Sequence, residues 1–125
     1  MLPSVPRTVA EVVDPRRTAL VLWDMQVGIG ARADRVDQLV AALRTLLGAA
    51  RDAGVLVVWS RHVAPPLDAS SPSALRALMR RQGVAEPERL KASMQAGSPD
   101  IELMPGLEPR LGELVIEKST PSFFV

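Results

Sequence analysis

Apolar residues fall along the chain in three short unbroken runs, with helical or loop segments between them. The first is Ala19-Leu20-Val21-Leu22-Trp23, closed by Asp24. The second is Val55-Leu56-Val57-Val58-Trp59, and the third, Leu114-Val115-Ile116, runs into Glu117-Lys118. Runs without polar alternation predict strands covered on both faces, the habit of parallel sheets. Between the first two, residues 34–53 carry a helical period that puts Val36, Leu39, Val40, Leu43, Leu46, Leu47 and Ala50 on one face. Asp34 is placed to cap this helix, Asp37 lies in its first turn near the positive dipole end, and Gly54 stops it. Strand, helix and strand within about 40 residues predict a βαβ unit with parallel strands and a right-handed crossover.

Residues 1–17, with Pro3, Pro6 and an Asp14-Pro15-Arg16-Arg17 turn, read as an extended lead-in, and residues 18–125 as the N-terminal part of a domain. Ser71-Pro72 opens another helix, which Gly83 closes. Glu86 to Lys91 predicts a short turn, and residues 96–112, rich in Gly and Pro, a loop. Trp23 and Trp59, on adjacent strands, are expected in the core. Three parallel strands leave an apolar edge that native proteins pair or cover. The expected fold is therefore α/β, a three-layer Rossmann-like parallel sheet truncated after its third strand, with further strands expected after residue 125.

Composition narrows the function classes. The 125 residues fit one domain, and 47% hydrophobic content can bury a core. A net charge of +1 gives no reason to expect a nucleic-acid partner. No cysteine is present, which excludes a disulfide framework and a thiolate metal site. The first residues lack a signal-peptide pattern, and no apolar stretch approaches the roughly 20 residues of a membrane helix, so the expected location is cytoplasmic.

Ligands of open α/β sheets bind outside the carboxyl ends of the strands. Asp24, Arg61-His62 and Lys118 fall at that edge. A carboxylate beside an apolar strand end suits general-base work, and a nearby lysine can stabilise a thiolate or developing oxyanion. Ordinary alternatives exist: Asp often caps turns, and Arg76, Arg80 and Arg81 read as a solvated face. Gly28 and Gly30 lack the third glycine of a dinucleotide fingerprint.

Leu22-Trp23-Asp24-Met25-Gln26, Val58-Trp59-Ser60-Arg61-His62 and Lys118-Ser119-Thr120-Pro121-Ser122-Phe123 together resemble the isochorismatase-like hydrolases, from about residue 18 to residue 125. That superfamily includes isochorismatases, nicotinamidases and N-carbamoylsarcosine amidohydrolases. The resemblance implies an Asp, Lys and Cys triad on a six-stranded parallel sheet, with the cysteine attacking an amide-type carbonyl. Asp24 matches the aspartate and Lys118 the lysine; no residue here matches the cysteine. Gln26, His62 and Phe123 are the candidate substrate-binding positions, with His62 otherwise a packing or loop residue and Phe123 otherwise part of the core. Relatives often continue Asp-Met-Gln with Asn-Asp-Phe, where this chain has Val27-Gly28-Ile29-Gly30. Arg61-His62-Val63 lacks the Asp-x-His metal motif of nicotinamidases, so neither metal nor cofactor is expected.

The expected activity is hydrolysis of a small-molecule amide or vinyl ether, with a homo-oligomer expected for a longer form of the chain. A phosphorelay receiver domain also uses Asp and Lys at strand ends, but it needs an acidic pair after the first strand and five strands in all. A non-catalytic scaffold of the same fold is the third reading, and the missing cysteine is its support.

Overall fold

The computed structural model describes residues 1–124. Strands β1 (Ala19–Trp23), β2 (Leu56–His62) and β3 (Leu114–Lys118) form one parallel sheet in the order β1-β2-β3. The α/β class and the parallel βαβ unit expected from the apolar runs are present. The helices are α1 (Val9–Val12), α2 (Val27–Gly30), α3 (Val36–Asp52) and α4 (Pro72–Gln82). None is long and apolar enough to cross a membrane.

α3 packs one part of its apolar face onto the sheet. Leu47 and Ala50 join Leu22, Val57 and Trp59, and the long loop before β3 adds Met104 and Leu107 to the same core. Gly54, at φ 71, supplies the left-handed turn into β2. Asp34 does not cap α3. Arg35 holds that position at φ 58 with no side-chain bond, so the helix is entered through a left-handed residue that leaves Asp34 outside it.

Three expectations are corrected. Residues 1–17 are not extended throughout, because Thr8 and Glu11 form a reciprocal capping box around α1. β2 continues through Arg61 and His62, which therefore lie on the strand instead of after it. Coverage on both faces holds for the central strand alone. Val57 to Ser60 are buried, whereas Leu114, Val115 and Ile116 of β3 are 51%, 45% and 40% exposed. An apolar run states what a strand is built to meet; it does not supply the neighbour.

A polar cluster ties the loop before β3 to this core. The Arg51 guanidinium grips the Glu113 carboxylate with bonds of 2.6 and 3.0 Å, and the Trp59 indole N–H donates to the same carboxylate at 2.8 Å. The Arg110 backbone N–H adds a fourth bond at 3.0 Å. Charge-assisted bonds of this kind are the strong ones. They draw Glu113 well below its ordinary value, to about 2, with the Arg51 bond as the largest cause.

Candidate active site

β1 ends at Trp23, and the next residue turns sharply: Asp24 has φ 51, in the left-handed region. An L-residue other than glycine is strained there, although Asp tolerates the region better than most. Parallel register sets Trp23 opposite Ser60 and His62 opposite Lys118, which brings the ends of all three strands to one edge.

At that edge Lys118 Nζ donates to Asp24 Oδ2 at 2.6 Å and to the Thr120 carbonyl at 3.1 Å. The two side chains retain only 5% and 15% exposure. Lys118 Nζ also lies 5.6 Å from the centre of the Trp23 ring. The other carboxylate oxygen, Asp24 Oδ1, accepts a 2.6 Å bond from the Ser60 hydroxyl. Ser60 Oγ in turn accepts from the Asp24 backbone N–H at 2.9 Å. Such an arrangement holds an ionised carboxylate against an ammonium where little water enters, so nearby charge is felt strongly.

Gln26, expected at the substrate, turns its amide into the protein. Its side chain is fully buried; its amide donates to the carbonyls of His62 (3.0 Å) and Ile101 (2.9 Å) and accepts from the His62 N–H (2.7 Å). It braces the turn after β1 against the end of β2 and the loop at residue 101. That loop is also held by an antiparallel bridge between Gln26 and Leu103 and by Met104 N–H to Met25 carbonyl, 2.9 Å.

His62 lines a cleft of about 440 Å³, a size suited to a small molecule. Ile29, Leu75, Leu78, Met94 and Ser119 form other parts of its wall. The cleft reaches His62, opposite Lys118 in the ladder, and Ser119, which follows Lys118, but neither Asp24 nor Lys118 lines it. Burial pushes the His62 imidazole below its ordinary value and the Lys118 cation adds to this, with Asp24 pulling the other way. Of the α4 arginines, Arg81 lines the cleft, while Arg76 and Arg80 are exposed outside it. Among the described residues no group of three or more His, Asp or Glu side chains is placed to hold a metal ion.

Phe123 packs on Trp23 with ring centres 5.7 Å apart, and Phe124 on Phe123 at 5.1 Å. Trp23 is thus not a core residue: it is 43% exposed and forms an aromatic wall beside Lys118. Trp59, by contrast, is fully buried.

Gly28 owes its identity to packing. A Cβ there would stand 2.5 Å from Met94 Sδ, 2.9 Å from Asp100 Cβ and 3.1 Å from the Asp100 carbonyl oxygen. Gly28→Ala is therefore expected to cost about 1–3 kcal/mol through overpacking, read as a lower urea midpoint at unchanged slope. A neutral substitution would mean that the loop at residue 100 yields freely.

Ser60 carries the geometry and is not singled out by type or spacing, whereas Gln26, expected at the substrate, carries it by bracing the turn after β1. The cross-strand register was the signal available for Ser60, since a small hydroxyl opposite the last residue of β1 adjoins whatever follows that strand.

A family model described as Isochorismatase domain matches residues 18–125. The fold is similar to a cysteine hydrolase from Pseudomonas syringae pv. phaseolicola 1448A, at TM-score 0.61 and 25% identity, over 85% of this chain and 48% of that one. It is also similar to an isochorismatase family protein from Desulfovibrio vulgaris subsp. vulgaris str. Hildenborough, at TM-score 0.59 and 26% identity, over 81% and 52% of the two chains. An isochorismatase from Pseudomonas putida KT2440 matches at TM-score 0.51 and 25% identity, over 94% and 53%. The chain thus spans about half the length of the structures it matches.

Proposed function

Because the chain belongs to the isochorismatase family, we propose that Asp24 and Lys118 form the proton-handling and charge-stabilising part of a hydrolase site for a small-molecule amide or vinyl ether. The observation that supports this reading most is the buried 2.6 Å contact between them at the carboxyl edge of the sheet. With an amide, Asp24 takes the proton of an attacking thiol, and the sulfur forms its bond to the carbonyl carbon. Lys118 balances the negative charge that builds on sulfur and then on oxygen. Asp24 returns the proton to the leaving amine as the carbon–nitrogen bond breaks, and water then releases the acyl group from sulfur. The 125 residues contain no cysteine, so the thiol of this scheme comes from outside them. Substrate enters by the cleft at His62, and the Trp23–Phe123 pair stands apart from that cleft as an apolar wall beside Lys118. Gln26 serves by holding the turn that carries Asp24.

The test is ammonia release from a panel of small primary amides, with and without added 2-mercaptoethanol as the external thiol. The chain alone is expected to give no turnover above buffer. Added thiol should give hydrolysis that falls about 100-fold or more in Asp24→Asn, the usual contribution of a general base. Thiol-dependent hydrolysis that survives this substitution removes Asp24 from the reaction.

A further inference from the structure

We propose that Ser60 is the positioning residue of the Asp24 carboxylate, setting both its backbone turn and the oxygen it offers to Lys118. The proposal rests on the assignment of Asp24 as the proton-handling group.

The parallel ladder pairs Trp23 with Ser60 as its last step between β1 and β2. Asp24 then leaves the ladder in the left-handed region, so its N–H needs another acceptor. Ser60 Oγ supplies one at 2.9 Å and directs its single proton to Asp24 Oδ1 at 2.6 Å. One hydroxyl therefore fixes the main chain and the side chain of the same residue. With Oδ1 taken, Oδ2 is the oxygen that meets Lys118 Nζ.

A serine hydroxyl beside a carboxylate and an ammonium also has the composition of a nucleophilic site. Burial decides against that role. Ser60 has 0% exposure, its proton is committed to Oδ1, and its oxygen already accepts the Asp24 N–H. A substrate carbonyl cannot reach it, so Ser60 acts through Asp24. Removing the hydroxyl would leave a buried N–H and a carboxylate oxygen without partners. The turn would then relax and the grip on Lys118 with it.

The chain contains two lysines, which gives an internal control. Lys91 is exposed, whereas the Lys118 side chain is 5% exposed. Brief acetylation with acetic anhydride, followed by peptide mass spectrometry, gives the ratio of Lys118 to Lys91 modification. In Ser60→Ala this ratio should rise by about tenfold or more, the factor associated with one hydrogen bond to a charged group. Ser60→Thr, which keeps the hydroxyl, should restore the low ratio. In an Asp24→Asn background, Ser60→Ala should add little, because the group it acts through is already changed.

An unchanged ratio in folded Ser60→Ala overturns the proposal. So does an equal increase with and without the Asp24 carboxylate, which would make Ser60 a packing residue. If Ser60→Ala loses its cooperative transition, Ser60→Cys, close in shape and weak as a donor, is measured against the same criteria. Labelling needs no turnover, so this outcome is separable from failure of the hydrolysis assay.

Discussion

Lys118→Met is expected to destabilise the chain by about 3–5 kcal/mol, because it strands the Asp24 carboxylate in a site almost closed to water. The loss is large on the scale of a domain, whose net stability is roughly 5–15 kcal/mol. The Lys118–Asp24 contact is 2.6 Å long, and the side chains retain 5% and 15% exposure, so salt in the medium screens it little. Methionine keeps most of the buried stem and removes only the charge and its donors. The double variant Asp24→Asn/Lys118→Met should recover much of the loss, since no uncompensated charge remains. Urea unfolding of the four proteins in this cycle measures the coupling. A loss below about 1 kcal/mol in the single variant, the range of exposed pairs, would show that water reaches the pair freely.

The second large effect is a dependence of stability on acid, located at Glu113. Its folded-state value is drawn from 4.5 to about 2, first by the Arg51 bond and further by the Arg110 N–H and the Trp59 indole. Between those values the unfolded chain binds the proton and the folded chain does not, so stability rises with pH across that window. The contribution is fully present above 4.5 and is lost as pH falls through about 2. The displacement corresponds to about 3 kcal/mol at neutral pH. Glu113→Gln should therefore be less stable than the parent at pH 7 by a comparable amount and should converge with it near pH 2. Unfolding curves recorded across that range decide the matter, and a constant gap at every pH would place the titration elsewhere.

Much of this site could be read from the residues because parallel strands simplify the geometry. Once Leu22-Trp23-Asp24 and Ile116-Glu117-Lys118 are strand ends of the same sense, their polar residues must gather at one edge. Gly54 and the period of α3 fixed that sense by making the first connection a crossover. What stayed hidden depends on register and on distant loops. Ser60 matters because it stands opposite Trp23, and Glu113 because it meets an arginine 62 positions earlier in the chain. No local pattern encodes either contact. Trp23 was misplaced for a related reason: the run that contains it is apolar whether or not anything covers its last residue. Asp34 had the right side chain for a cap, but the backbone enters α3 one residue later.

Gln26 sets a limit on how far this sequence can drift. Its amide uses both donor hydrogens and its oxygen at once, against two carbonyls and one N–H from separate parts of the chain. Glutamate would aim negative charge at the carbonyls of His62 and Ile101. Asparagine falls one methylene short, and methionine offers no donor. Position 26 therefore has an alphabet close to a single letter, although the side chain there need touch no substrate. Exchange of Ile29, Leu75 or Leu78 in the neighbouring cleft is therefore expected to be tolerated only while that amide stays in place.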